Sequence, residues 1–309
     1  MVLGRKEKRK KKRTWLKVTL SIIAVLIIAV AATGIYAANK AKTTVNTMQK
    51  GSDSIDMKQS VTKVKDQEKL NVLLLGVDQR DDDAGRSDAL MVLSIDPSTD
   101  SMKLISIPRD SRTEIVGHGT TDKINHAYAF GGVDMAIDTV ENFLDTDIDY
   151  FAEMNMEGLS DFVDAVGGIT VNNQLDWIDE GYYQKGYHYA QGELQLDGPK
   201  AMGYVRMRHL DPDGDFGRNA RQRQVIQAVI DKGASINSVN KIDDILSALG
   251  DNVQTNMDFS TMTDLFKNYR NVRQNSENYQ MQGTGTTIDK VYYYEVSQEE
   301  RDKVHDMIS

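Results

Sequence analysis

The 309-residue chain has no cysteine, only four prolines and only five histidines. The absence of cysteine excludes disulfides, thiolate catalysis and cysteine-ligated zinc. The histidines are scattered and form no HExxH-like pair, so the sequence gives no support to a histidine-bound zinc site. The chemistry of the protein must therefore depend on other side chains.

Basic residues are in the minority, and they are concentrated at the start of the chain. Residues 1–17 contain nine Lys or Arg and one acid, whereas the whole chain carries a net charge of −9. The part after residue 17 is therefore strongly acidic and repels nucleic acid at long range. The basic tail abuts an apolar segment, which favours a topology signal and headgroup contact. We expect no nucleic-acid partner.

Residues 18–38 contain no charged side chain and are rich in Ile, Val, Leu and Ala. As a helix they would span roughly 30 Å, the hydrocarbon thickness of a bilayer. The basic tail (1–17) would stay in the cytoplasm and the rest would lie outside the cell, which predicts a single-pass type II protein of the cell membrane. A cleaved signal peptide ending near Ala29-Val30-Ala31 is the alternative, but its apolar core would be only about 7–15 residues long.

The remaining chain divides into a polar stalk, residues 39–68, and one domain, residues 69–309. Apolar runs predict strands at 70–77, 89–95, 102–107, 150–154 and 169–171, with a hairpin turn at 96–100 and a possible strand pair formed by 279–282 and 290–295. Helical patterns cover 123–130, 133–144, 157–166, 199–205, 219–232, 241–249, 260–268 and a last segment opened by Ser297. This mixture predicts a three-layer α/β/α domain with a mixed central sheet.

Several short stretches place arginine beside aspartate at predicted strand ends and helix starts. They are GVDQR (76–80) with GRSD (85–88), SIPRD (106–110), YVRMR (204–208) and DFGRNARQ (215–222). Arginines fork onto phosphate oxygens, while the carboxylates suit a hard divalent cation that shares those oxygens. The pattern predicts a magnesium-assisted phosphate or pyrophosphate site, although each Arg–Asp pair alone is more simply a structural ion pair.

Asp78 directly follows the first buried strand, and Asp88 opens the next one. If these strands are neighbours, the two carboxylates come close together and could share a Mg²⁺ ion with phosphate oxygens and water. The alternative for Asp88 is a turn cap.

The cations have their own local patterns. Arg109 follows a strand, and Arg206 and Arg208 share a face only if the preceding helix ends near Val205. Arg218, Arg221 and Gln222 fall on one face at a helix start, where backbone N–H groups also favour phosphate. Lys123 could add a further cation, but alone it is more simply a surface residue.

These five ordered motifs, with KINHAYAFGG (123–132) among them, resemble the LytR-CpsA-Psr family over about residues 70–232. The resemblance implies that Asp78 and Asp88 bind magnesium. It also implies a lipid pyrophosphate site formed by Arg86, Arg109, Lys123, Arg206, Arg208, Arg218 and Gln222, among which Arg86, Arg109, Arg206 and Arg208 are the catalytic candidates. Arg80, Asp215 and Arg221 are expected to be further polar residues of this site.

Members of this family join anionic glycopolymers to Gram-positive peptidoglycan. The implied reaction moves a polymer, most simply wall teichoic acid, from a polyprenyl-pyrophosphate carrier to a peptidoglycan sugar hydroxyl and releases polyprenyl phosphate. The prenyl chain is expected between sheet and helices. Two alternatives stay open at this point: a membrane-anchored polyprenyl-pyrophosphate hydrolase, and a non-enzymatic regulator of the cell envelope.

Overall fold

The computed structural model describes residues 48–78, 85–234, 252–269 and 271–309, together with residues 245 and 249. Within these ranges, no helix combines the length and the apolar character needed to cross a bilayer. The predicted basic tail, the transmembrane segment 18–38, Arg80 and most of the predicted helix 241–249 lie outside the described residues.

The chain alternates strands and helices. The strands are β1 Leu70–Asp78, β2 Arg86–Asp96, β3 Ser101–Ser106, β4 Arg112–Ile115, β5 Thr120–Lys123, β6 Tyr150–Asn155, β7 Ile169–Asn173, β8 Trp177–Ile178, β9 His188–Tyr189, β10 Gly192–Leu196, β11 Val253–Thr255, β12 Asn275–Gln280, β13 Thr284–Ile288 and β14 Val291–Glu295. The helices are α1 Met57–Asp66, α2 His126–Leu144, α3 Met156–Ala165, α4 Gly198–Arg206, α5 Asp215–Ala234, α6 Phe259–Asn268 and α7 Gln298–Ile308.

The described part of the chain contains one large sheet, in the order β11-β6-β1-β2-β3-β12. The strands β1, β2 and β3 form an antiparallel meander, whereas β6 runs parallel to β1 and β12 runs parallel to β3. The predicted mixed α/β fold with a mixed central sheet is therefore confirmed, as is the hairpin turn between β2 and β3. The smaller pairs β4–β5, β7–β10, β8–β9 and β13–β14 lie outside this sheet.

Helices cover both faces of the sheet because β1 is apolar on both sides. Leu73 and Leu75 belong to a core shared with α2 and α7, whereas Val72 belongs to a second core with Val64 of α1 and Leu265 of α6. A third core joins α3, α4 and α5 to β7 and β10.

Two predictions of secondary structure need correction. Residues 279–282 do not pair with 290–295: the segment around 279 forms β12 beside β3, and β14 pairs with β13. Strand β13 was not predicted because its composition is polar and rich in Thr and Gly. The turn between β13 and β14 is a tight hairpin, in which Asp289 and Lys290 both adopt a positive φ. The helix predicted from residue 123 begins only at His126, since Lys123 ends β5 opposite Arg112.

The described part of the predicted stalk belongs to the folded domain. Val64 on α1 is buried, and Gln49 forms a bridge to Thr255 of β11. Met57, Val61 and Val64 fall at helical spacing in α1, a short apolar face within a segment that is otherwise polar. The predicted boundary at residue 68 is therefore too late.

A carboxyl group in α2 links folding to pH. Burial, together with the nearby charges of Asp147, Asp138 and Asp149, raises the pKa of Glu141 to about 6, although the Ile148 N–H opposes the shift. The folded state therefore binds this proton more tightly than the unfolded state, and its stability declines as pH rises from the ordinary value of 4.5 through about 6.

We expect Glu141→Gln to remove this penalty, because glutamine can keep the bond that Glu141 Oε1 accepts from Ile148 N at 2.7 Å. Stability should rise by up to about 2 kcal/mol at pH 7.5 and change little at pH 4. Denaturant titrations at both pH values, with the exposed Glu180→Gln as control, would measure it. An equal effect of E141Q at both pH values would contradict this assignment.

Candidate phosphate-binding site

The β1–β2 hairpin ends at the site. Asp78 pairs in register with Arg86, so β2 begins three residues before the predicted strand 89–95. Val77 pairs with Ser87 and Gly76 with Ala89, which leaves Asp88 as the extra residue of a β-bulge. Bulges redirect a side chain and occur next to active sites. The bulge therefore gives Asp88 its orientation at the edge of the sheet.

Arg109 connects this hairpin to helix α5. Its Nη1 donates to Asp88 Oδ1 at 2.6 Å and its Nη2 to Asp215 Oδ2 at 3.2 Å, while Nε lies 3.8 Å from Asp110 Oδ2. Burial disfavours the charge of Arg109, but these three carboxylates outweigh it and raise the pKa of the guanidinium. The Arg109 guanidinium is therefore held in place by the carboxylates of Asp88, Asp215 and Asp110.

Asp215, the first residue of α5, gathers three arginines. Besides Arg109, Arg208 Nε lies 2.8 Å and Arg218 Nη2 lies 3.2 Å from Asp215 Oδ1. Both are ion-pair distances, because neither N–H points at Oδ1 well enough to form a hydrogen bond. The carboxylate thus holds three guanidiniums around one point without using all their donors.

Arg218 and Gln222 lie one turn apart on α5 and are both poorly exposed. Burial and the charges of Arg109 and Arg208 lower the pKa of Arg218, although Asp215 and Asp88 oppose this effect. Within the described residues, Arg218 Nε and Gln222 Oε1 have no hydrogen-bond partner. Buried polar groups are normally satisfied, so these atoms indicate a place for a polar ligand or water.

Lys123 is brought to the site by the β4–β5 hairpin. Its Nζ donates to Asp110 Oδ1 at 2.6 Å, and Ile124 N–H donates to Ser111 O at 2.8 Å. Lys123 is therefore part of the charged cluster through Asp110, which sequence reasoning did not select although it lies within the SIPRD motif.

Arg206 and Arg208 flank the end of α4. The helix ends at Arg206, close to the predicted position, and Met207 continues in an extended conformation. Met207 is buried while both arginines are exposed, as expected if the arginines share one side of an extended segment. Arg208 reaches Asp215, whereas Arg206 has no ion pair in the part of the chain that the structure describes.

Arg221 is not at the cluster but beneath it. It is only 5% exposed, and its guanidinium donates to Tyr204 O at 3.0 Å, to Met207 O and to the Asp211 carboxylate. A Cβ at Gly217 would overlap that same carboxylate. Arg221 therefore satisfies carbonyls at the end of α4 and fixes the loop that carries Arg208.

We expect Arg221→Gln to lower the free energy of unfolding by about 3 kcal/mol or more, since it leaves a buried carboxylate and two carbonyls without their partner. Arg208→Gln, whose side chain is 45% exposed, should cost less than about 1 kcal/mol of stability. Chemical denaturation of both variants measures the contrast. Equal losses would mean that Arg208 is also a structural residue.

The cluster borders a cleft of about 50 Å³. Its lining residues come from the end of β3, the start of α5 and strand β14: Pro108, Arg109, Asp110, Asp215, Phe216, Arg218, Asn219, Tyr292 and Tyr294. The β14 residues lie far beyond the motifs, and no spacing in the sequence relates them to the site.

The structure describes the backbone of Asp78 and Arg86, at the end of the β1–β2 hairpin, but not their side chains. Among the described side chains, no group of three His, Cys, Asp or Glu residues could hold a metal ion. The magnesium site predicted at Asp78 and Asp88 stays a prediction.

Comparison with known protein families identifies the family of this chain. The model of the LytR_cpsA_psr family matches residues 31–308. The chain belongs to the LytR-CpsA-Psr family.

Three known proteins are similar to this chain in sequence and fold. The Bacillus subtilis polyisoprenyl-teichoic acid–peptidoglycan teichoic acid transferase TagU is 43% identical over 294 residues, which cover 95% of this chain and 94% of TagU. The crystal structure of B. subtilis TagU matches with a TM-score of 0.61 at 42% identity, over 78% of this chain and 95% of that one.

The second is TagT, in a structure described as bound to LIIa-WTA, with a TM-score of 0.68 and 32% identity over 78% of this chain and 89% of that one. The third is a structure from Enterococcus faecalis named as a transcriptional regulator, with a TM-score of 0.70 and 38% identity over 79% of this chain and 88% of that one. The resemblance derived from the motifs is thus confirmed at the level of the LytR-CpsA-Psr family.

Proposed function

We propose that this LytR-CpsA-Psr protein transfers an anionic glycopolymer, most simply teichoic acid, from a polyprenyl-pyrophosphate carrier to a peptidoglycan sugar hydroxyl. The names of its relatives support the reaction. The observation that carries the proposal is the convergence of Arg109, Arg208 and Arg218 on Asp215. Three guanidiniums with unused donors suit a ligand with several phosphate oxygens.

In this reaction the acceptor oxygen forms a bond to the polymer-side phosphorus, and the bond to the bridging oxygen breaks. The hydroxyl loses its proton, and polyprenyl phosphate leaves. Arg109 and Arg218 bind non-bridging oxygens and offset charge that develops in the transition state. Arg206 and Arg208, both exposed around the end of α4, orient the pyrophosphate, and Arg86 would add a further cation.

We propose a magnesium ion at Asp78 and Asp88, which the free oxygen of Asp88 supports. Asp88 Oδ1 is used by Arg109, but its carboxylate remains 30% exposed, and Oδ2 has no protein partner within the described residues. Asp78, at the end of the adjacent strand, would supply the second carboxylate, as hard cations require. When bound, Mg²⁺ would neutralise charge on the pyrophosphate oxygens.

We also propose that residues 18–38 anchor the protein in the cytoplasmic membrane with its domain outside the cell. The absence of charge in this segment and the basic residues before it support this orientation. An anchored enzyme meets a lipid-linked donor in the plane of the membrane. The prenyl chain would lie between the sheet and a helical layer.

The cellular test uses a strain that depends on this protein for wall polymer. We expect an Arg208→Ala copy to leave the wall depleted in polymer phosphate, although the variant accumulates normally in the membrane. A regulator that acts without catalysis would restore wall phosphate despite this substitution. Normal wall phosphate in the Arg208→Ala strain would therefore refute the proposed role of the arginine cluster.

A further inference from the structure

Three aromatic residues line the cleft beside the arginine cluster. Phe216 lies in the first turn of α5, and Tyr292 and Tyr294 share one face of β14; we call these three residues the aromatic wall. The rings of Phe216 and Tyr294 lie 5.4 Å apart. Tyr294 is buried, whereas Phe216 is 37% and Tyr292 is 47% exposed. Two large rings thus remain open to solvent beside a cluster of cations.

The wall is fixed to the charged cluster by the backbone. Tyr294 N–H donates to Asp110 O at 2.9 Å, and residue 294 also bridges to Ser111. Arg109 and Arg218 line the same small cleft as the three rings. A group that approaches a phosphate held by these arginines through the cleft would therefore meet the wall.

Tyr292 rests on a glycine of the neighbouring strand. A Cβ added to Gly285 would lie 2.8 Å from Tyr292 Oη and 2.9 Å from its Cε2. Since the φ of Gly285 is not positive, an alanine there would strain no backbone but would displace the ring. The glycine thus determines how close the Tyr292 ring lies to β13.

The chemistry of the wall suits a sugar ring next to a phosphate. Exposed aromatic rings beside polar groups mark binding sites, and they bind ligands that have one apolar face and a polar edge. A pyranose has such a face of C–H groups, and its hydroxyls can reach the cleft. Simple packing explains Tyr294 but leaves the exposed rings of Tyr292 and Phe216 without a role.

We propose that the aromatic wall binds the sugar ring of the peptidoglycan acceptor. This inference rests on the proposed transfer reaction, in which the attacking and leaving oxygens lie roughly in line. Arg109 Nη1 donates to Asp88, which does not line the cleft and is proposed for the carrier pyrophosphate, whereas Arg109 Nη2 donates to Asp215, which lines the cleft together with the wall. The attacking hydroxyl therefore approaches from the wall.

The test measures binding and turnover separately on the full-length protein in detergent. A soluble peptidoglycan tetrasaccharide is titrated into wild type, Tyr292→Ala, Tyr292→Phe and Gly285→Ala. We expect Tyr292→Ala and Gly285→Ala to weaken binding roughly 3- to 10-fold, and Tyr292→Phe to bind like wild type. Val291→Ala is the matched control, because Val291 is exposed on the opposite face of the same strand.

A second measurement shows whether the wall contacts the acceptor or the donor. With lipid-linked donor varied at saturating acceptor, the KM for donor should be unchanged in Tyr292→Ala, whereas the KM for acceptor should rise. Unchanged tetrasaccharide binding in Tyr292→Ala, or a rise confined to the donor KM, would overturn the inference. Failure of the wild type to turn over donor would instead refute the proposed function, because the binding titration does not depend on catalysis.

Discussion

Arg109→Lys is expected to reduce the rate of polymer transfer by about 100-fold, the size of effect seen when one donor to a developing oxyanion is lost. Arg109 uses separate nitrogens for Asp88 and Asp215, on opposite sides of its guanidinium. Lysine keeps the charge but presents a single ammonium, which cannot bridge both carboxylates and also bind phosphate.

The matched control is Arg112→Lys. Arg112 lies three residues further along the chain, in β4, with Glu295 at 3.7 Å and the Tyr293 ring beneath its guanidinium. This half-exposed pair is worth less than about 1 kcal/mol, so transfer should stay close to the wild-type rate. Initial rates at saturating donor and acceptor measure both variants. Similar rates for Arg109→Lys and wild type would show that Arg109 makes only structural ion pairs.

Asp215→Asn is expected to reduce the rate of transfer about as strongly as Arg109→Lys does. It should also lower the free energy of unfolding of the domain by about 2 kcal/mol. The asparagine is neutral, so Arg109, Arg208 and Arg218 would repel one another around it. The side chain of Asp215 is 26% exposed, and solvent screening therefore keeps the loss below that of a fully buried pair.

Adding an anion tests whether the effect of Asp215→Asn comes from repulsion among the three arginines. Inorganic pyrophosphate should raise the melting temperature of Asp215→Asn more than that of wild type, because it replaces the missing negative charge. Asp213→Asn, in the exposed loop just before α5, should behave like wild type in both measurements. Equal stabilisation of all three proteins by pyrophosphate would contradict the role of Asp215 in offsetting the charges of the three arginines.

The four inner strands of the central sheet, β1, β2, β3 and β6, could be predicted because they carry their own signal, whereas the edge strand β11 was not predicted and β12 was given another partner. Residues 70–77 are apolar on both faces, as a central strand must be, and the Asp96–Asp100 turn joins two such runs. The main cluster was also foreseeable, since Arg109 and Asp215 stand at ends of elements where ligands bind in open sheets.

Other features depend on tertiary contacts that no local pattern encodes. Arg221 lies on the same face of α5 as Arg218, so the sequence does not distinguish them. Arg221 is a structural residue because its guanidinium contacts Asp211 and the Met207 carbonyl after the end of α4. Helix α1 has only three apolar residues, Met57, Val61 and Val64, and although they stand at helical spacing, the covering of this short face depends on the strand that packs against it. Tyr292 lies at the cleft because β14 pairs with β13, a strand whose Thr- and Gly-rich sequence does not predict it.

The measurement that tests the central claim most directly is a reconstituted reaction with doubly labelled donor. One label marks the polymer and the other the prenyl chain, and the full-length protein is supplied with magnesium and peptidoglycan oligomers. Transfer predicts that labelled polymer becomes covalently attached to peptidoglycan in equal amount to the prenyl phosphate released, and that Arg109→Lys loses both products together. Release of prenyl phosphate with the polymer recovered free in solution would show that water is the acceptor, and would contradict the assignment as a transferase.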